Sequence, residues 1–95
     1  MPYTLRYHPM VADDDLADIP ANVRERLARS IKARLTISPE RYGSPLKGSL
    51  KGYWKLRAGD YRVVFKIVGE EVRILAILHR KAVYEEAMTR LGWQP

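Results

Sequence analysis

The stretch Gly52-Tyr53-Trp54-Lys55-Leu56-Arg57-Ala58-Gly59-Asp60-Tyr61-Arg62-Val63-Val64-Phe65-Lys66-Ile67-Val68-Gly69-Glu70-Glu71-Val72-Arg73-Ile74-Leu75-Ala76-Ile77-Leu78-His79 decides the fold. Its apolar residues recur with a period of two, and short glycine-containing joints at Ala58-Gly59 and Gly69-Glu70 divide it. That pattern predicts three strands, Gly52–Arg57, Tyr61–Val68 and Val72–His79, joined as hairpins.

Side chains alternate between the faces of a strand, so a slip of one residue moves a whole set to the other side. With an even first loop, Lys55 stands opposite Arg62, and Trp54 and Leu56 share a face with Tyr61, Val63, Phe65 and Ile67. An odd loop would bury Lys55 and Arg57 in that aromatic face, at a cost of several kcal/mol for each unpaired charge. Pairing Ile67 with Val72 adds Val72, Ile74, Ala76 and Leu78 to the apolar face. It sends Arg73, Leu75, Ile77 and His79 to the other face and sets Arg62 against Ile77. One face is then apolar, and the other carries Lys55, Arg57, Arg62, Lys66, Arg73 and His79. Adjacent strands lie about 4.8 Å apart, so Lys55, Arg62 and the His79-Arg80 end span roughly 10 Å, the scale of one nucleotide with its phosphates.

Upstream, Tyr3–His8 alternates as a further strand, and Pro9 ends it. Met10–Asp18 reads as a short helix whose Asp13, Asp14 and Asp15 form solvated surface near its N-terminus. Ala21–Ile37 reads as a longer helix, with Val23, Leu27, Ile31 and Leu35 in one apolar stripe and Arg24, Arg26, Arg29, Lys32 and Arg34 on the other faces. Residues 42–52 carry four Gly/Pro breakers and read as loop, and Lys81–Leu91 reads as a last helix. The expectation is one α+β domain over 1–95, ordered β-α-α-β-β-β-α, with the N-terminal strand and helical hairpin packed on an antiparallel sheet.

Composition narrows the function. The 95 residues suffice for one domain, and there is no cysteine, which excludes disulfides, cysteine-ligated zinc and thiol catalysis. No apolar run is long enough to span a membrane, and no secretory signal is visible, so a cytoplasmic location is expected. The net charge is +6, and the whole surplus falls in residues 41–66, which hold seven basic side chains and one acidic. Clustered positive charge is the footprint of a polyanion partner. Phosphate-binding and dinucleotide loops, metal-ligand spacings and serine-hydrolase elbows are absent.

RNA can be cut through its own 2′-hydroxyl. A base takes the 2′ proton, an acid or cation receives the 5′ oxygen, and cations stabilise the phosphorane. Lys55 and Arg62 suit the stabilising role. Tyr84 and His79 are the candidates for proton transfer: tyrosine titrates near about 10 in water and is drawn down by neighbouring cations, whereas histidine starts near about 6.5. Trp54, Phe65 and Tyr61 are core residues, His8 is structural or surface, Trp93 caps the last helix or meets a partner, and Gly48, Gly52 and Gly59 are turn glycines.

Pro45-Leu46-Lys47-Gly48, then Tyr53 through Phe65, then His79-Arg80-Lys81-Ala82-Val83-Tyr84, resemble in order the RelE/ParE superfamily of toxins from toxin–antitoxin pairs, most closely its RelE branch. The resemblance implies a ribosome-dependent endoribonuclease (an mRNA interferase) that cuts mRNA in the ribosomal A site and so inhibits translation. It implies no metal and no other cofactor. By position in the motifs, Lys55 and Arg62 stabilise the transition state, Arg80 assists at the leaving oxygen and Tyr84 acts as base. Where the best-known member has a second catalytic-site lysine this chain has Tyr53, which leaves His79 and Tyr53 as auxiliary candidates, with Lys51 nearby. Arg41, Lys47, Lys51, Arg57, Lys66, Arg73 and Lys81 are the expected RNA-binding cations. The implied partners are a cognate antitoxin, the ribosome and mRNA, with no membrane. Two alternatives stay open: a ParE-like inhibitor of DNA gyrase, which shares the fold, and a non-catalytic member that only binds RNA or an antitoxin.

Overall fold

In the computed structural model, which describes residues 2–95 apart from the side chains of Val83 and Tyr84, the first strand, β1, covers Thr4–Tyr7. After Pro9 the chain makes one widened turn of π-helix at Val11–Asp15 and a 3₁₀ turn at Leu16–Asp18, where a regular short helix was expected. The long helix, α1, runs Ala21–Leu35 and buries Leu27, Ile31 and Leu35. It stops short of Ile37 because Pro39 drives Ser38 out of helical geometry, and Pro39 then opens the four-residue helix α2 (Pro39–Tyr42).

The predicted loop holds more order than its composition suggests. Ser44–Pro45 forms a fifth strand, β2, and Gly48–Leu50 a 3₁₀ turn. Proline is tolerated there because β2 is an edge strand. The strands β3 (Trp54–Ala58), β4 (Tyr61–Val68) and β5 (Glu71–His79) follow, and then the helix α3 (Val83–Met88). The sheet order is β1-β5-β4-β3-β2, with β1 parallel to β5 and the other pairs antiparallel.

The first hairpin turns on two residues, Gly59-Asp60, so the loop is even and the faces divide as expected. The register sits two residues from the expected one: Arg57, not Lys55, stands opposite Arg62, and Lys55 stands opposite Val64. Gly59 has φ +60 while Asp60 stays at negative φ, the pattern of a type II′ turn.

The second hairpin begins in the expected register, with Ile67 opposite Val72 and Phe65 opposite Ile74. A bulge then inserts Leu75, so Val64 meets Ala76, Val63 meets Ile77, Arg62 meets Leu78 and Tyr61 meets His79. An extra residue exchanges the faces of everything beyond it. Ile77 therefore joins the core under α1, whereas Leu75, Ala76 and Leu78 go to the opposite face. Leu75 keeps its expected face; the assignments of Ala76, Ile77 and Leu78, and the pairing of Arg62 with Ile77, are corrected accordingly.

The face expected to carry the cations consequently holds a second core as well. Leu46, Leu50 and Tyr53 from the segment before β3, Ala87 of α3 and Trp93 cover Val64, Leu75, Ala76 and Leu78. The first core lies on the other side, where Leu27, Ile31 and Leu35 of α1 meet Leu56, Val63, Phe65, Val72, Ile74 and Ile77. The strand cations are thereby confined to the open margin of the second face. Gly43 lets α2 approach the sheet: a Cβ there would lie 2.6 Å from Cζ of Phe65.

Asp15 is not solvated surface. It is 8% exposed, and its carboxylate accepts hydrogen bonds from Nη1 and Nη2 of Arg90 at 2.7 and 2.8 Å. The same carboxylate accepts the Ile77 N–H, and Arg90 Nη1 also donates to the Leu75 carbonyl. Both backbone groups flank the bulge, so the ion pair satisfies polar atoms that the interrupted ladder leaves over.

Candidate active site

Arg57 and Arg62 face each other across β3 and β4, one pair in from the hairpin turn. Their Cβ atoms in such a pair lie about 4.5–5.5 Å apart, and like charges directly opposite destabilise a sheet. Lys55 is on the same face, two residues along β3 and diagonal to Arg62, within about 7–8 Å. Three cations thus crowd one margin with no ion pair among the described residues. An anion placed between them relieves that repulsion.

The turn orients two of the arginines. Arg62 Nη1 donates to the carbonyls of Gly59 and Tyr61, both at 2.9 Å, which folds the guanidinium over the hairpin tip. The Arg80 N–H donates to the Asp60 carbonyl at 2.8 Å. That bond pins the start of the β5–α3 connection to the same tip, so Arg80, itself exposed, leaves the backbone beside Arg62. Arg57, Arg62 and the Arg80 backbone therefore meet at Gly59-Asp60, with Lys55 further back on the same face of β3. Tyr84 follows in the first turn of α3; its side chain lies outside the described residues.

The other sequence candidates separate from this group. His79 does not lie on the cationic face: the bulge turns it toward Tyr61, whose ring it meets edge-on at 5.6 Å, and its Nδ1 accepts the Lys81 N–H. Tyr53 is buried beneath Lys66, whose ammonium sits 5.5 Å from the ring centroid, and its hydroxyl accepts the Gly92 N–H at 3.4 Å. Arg73 is engaged by Glu71 at 2.7 Å, and Glu71 also pairs with Arg6. The Arg73 hydrogen bond, with help from Arg6, holds the Glu71 carboxyl below the usual range. Arg41, Lys47, Lys51 and Lys81 are exposed and flank the site on α2, on either side of the Gly48–Leu50 turn, and after β5.

The Asp15–Arg90 clamp was not legible from the residues alone, because each looks like ordinary surface until the fold brings the N-terminal turn and the segment after α3 together. Beside the clamp, His8 accepts the Met10 N–H at Nδ1 and packs against Trp93 at 5.2 Å. Burial, with the Arg90 charge adding to it, pushes the His8 pKa down. No helix among the described residues is long and apolar enough to cross a membrane.

Comparison with known proteins agrees with this architecture. Residues 6–84 match the family model described as the ParE toxin of type II toxin–antitoxin system, parDE. Toxin RelG of Mycobacterium tuberculosis is 34% identical over 86 residues, covering 88% of this chain and 98% of the relative. Toxin RelE of the same organism is 34% identical over 83 residues, covering 82% and 86%. The toxin–antitoxin complex RelBE2 of M. tuberculosis superposes with a TM-score of 0.77 at 32% identity, over 84% of this chain and 93% of the other. A free double mutant of Escherichia coli toxin RelE shares the fold, with a TM-score of 0.71 at 24% identity over 96% and 99% of the two chains. The chain belongs to the ParE/RelE family of toxins of type II toxin–antitoxin systems, in its RelE branch.

Proposed function

We propose that this toxin is an mRNA endoribonuclease acting on the translating ribosome in the cytoplasm, and that a cognate antitoxin neutralises it. The observation that carries the reading is the Arg57–Arg62 pair at the tip to which the Arg80 backbone is bound. In this mechanism Tyr84 takes the proton of a 2′-hydroxyl, and the 2′ oxygen forms a bond to phosphorus. Lys55 and Arg62 stabilise the negative charge on the phosphorane. The P–O5′ bond then breaks and leaves a 2′,3′-cyclic phosphate. The departing 5′ oxygen, held by the Arg80 guanidinium, collects a proton from water. Arginine is too weak an acid to give the proton itself, but it stabilises the oxyanion. Arg41, Lys47, Lys51, Arg57, Lys66 and Lys81 bind the surrounding phosphates. Arg73, partly neutralised by Glu71, contributes least.

A face this small does not by itself hold RNA in line for attack, so the ribosome supplies the positioning. The antitoxin is inferred from relatives solved in toxin–antitoxin complexes, including RelBE2 of M. tuberculosis. The test is primer extension on mRNA from a purified translation reaction. Breaks within translated codons, absent when ribosomes are omitted, are expected. Intact mRNA would overturn the reading.

The matched model describes the ParE toxin, and that observation favours a second reading, inhibition of DNA gyrase. A supercoiling assay separates the two. Loss of supercoiling with intact mRNA selects the gyrase reading.

A further inference from the structure

A cleft of about 480 Å³ opens between α1 and the β3–β4 tip, on the side of the turn away from Lys55. Arg26, Ser30 and Arg34 line it from one face of α1, and Arg57, Asp60 and Tyr61 from the hairpin. Its size falls within the range of about 300–1,000 Å³ typical of small-ligand sites. Arg26 and Arg34 stand eight residues apart on the helix, about 12 Å along its axis. The Arg34 guanidinium lies over the Tyr42 ring, 5.5 Å from its centroid, and the residue stays exposed. None of the three arginines has an ion-pair partner among the described residues, and Asp60 is the one acidic residue in the lining.

Two features tie the cleft to the candidate active site. Arg57 belongs to both, since it lines the cleft and stands opposite Arg62. Gly59 separates them and presents open space where a side chain would stand. A single strand whose phosphate lies at Arg62 thus passes over the glycine tip without obstruction. Guanidinium forks suit phosphates, and the half-buried Tyr61 ring at the far wall suits a base.

We infer that this cleft is a second nucleotide site, which takes the single-stranded RNA next to the scissile bond with its phosphates on Arg26, Arg34 and Arg57. The inference rests on the endoribonuclease reading and extends it to an element, α1, that carries five basic side chains against one acidic. It implies that the substrate wraps the hairpin tip and does not lie only on the sheet.

The test uses a short single-stranded RNA with 2′-O-methyl groups throughout, which cannot be cut, and follows its binding by fluorescence anisotropy across a salt series. The double variant Arg26→Ala and Arg34→Ala keeps good helix formers at exposed positions, and circular dichroism checks its fold. Removing two phosphate contacts is expected to lower the log–log salt slope by about 1.4 and to weaken binding at least tenfold at low salt. The pair Arg26→Glu and Arg34→Glu is expected to weaken it further. Unchanged affinity and slope in both variants overturn the cleft, as does a loss confined to binding of an acidic antitoxin peptide. Cleavage by Arg62→Ala on ribosomes, measured in parallel, decides the endoribonuclease reading separately. If that variant loses cleavage while the Arg26/Arg34 variants bind RNA like the parent, only the cleft has failed.

Discussion

Asp15 and Arg90 meet in a fully buried bidentate ion pair that also holds the backbone on either side of the β5 bulge. One residue comes from the N-terminal turn, the other from just beyond α3. Removing either partner leaves a buried charge without its counterpart and frees an N–H or carbonyl at the bulge. Asp15→Ala is expected to lower stability by about 3–5 kcal/mol, a large part of the roughly 5–15 kcal/mol of a domain. Urea denaturation measures it. Adding Arg90→Ala to Asp15→Ala costs much less than the sum of the two single losses. Additive losses would show that the two residues act independently.

Arg62→Ala and Arg80→Ala each reduce ribosome-dependent cleavage at least tenfold, about 1.4 kcal/mol or more of barrier. Both side chains are solvent-accessible, so thermal unfolding changes little. Full cleavage in both variants removes the proposed site.

The placement of His79 against Tyr61 separates the two candidates for proton transfer. His79→Gln keeps cleavage within about threefold, below the tenfold or greater effect expected of a general base. Tyr84→Phe loses at least tenfold. The pH–rate profile of His79→Gln retains its shape, and a lost ionisation in that profile would return the role to His79.

Stability also depends on pH through His8. Its pKa is depressed in the fold, so the unfolded chain binds the proton more readily. The contribution is fully present above the unfolded value, about 6.5, and is lost as the pH falls through the lower folded value. Between about pH 8 and about pH 5, His8→Gln therefore loses less stability than the parent, as read from urea midpoints. Glu71 titrates lower still, so its loss falls at more acidic pH. Parallel declines in parent and variant would contradict the assignment.

Gly43→Ala drives a methyl into the Phe65 ring edge and is expected to cost about 1–3 kcal/mol. Its backbone φ of −91 is ordinary, so the penalty comes from packing alone. Combining it with Phe65→Leu recovers part of the loss. No recovery would place the cost elsewhere.

The parity of β3 and β4 was legible in the sequence, because a misplaced register would have buried Lys55 and Arg57 with Trp54. The same argument failed along β5. Ile74-Leu75-Ala76-Ile77-Leu78 is apolar throughout, so a bulge moves no charge into a core and leaves no mark in the pattern. Both faces being covered, either assignment of Ile77 and Leu78 satisfies burial. His79 inherited that ambiguity, and its expected face was wrong. The approach of the Arg80 segment to the β3–β4 tip was readable because two short turns fix it. The partnership of Arg57 with Arg26 and Arg34 was not, since it depends on how α1 crosses the hairpin tip.

The parallel pairing of β1 with β5 has a consequence for biosynthesis. The N-terminal strand has no neighbour until β5 exists, and the bulge beside it stays unsecured until Arg90 has been translated. A protein proposed to attack ribosomes is thus incomplete for nearly all of its own manufacture. Its cationic edge takes its final shape only after the polypeptide has left the machine that made it.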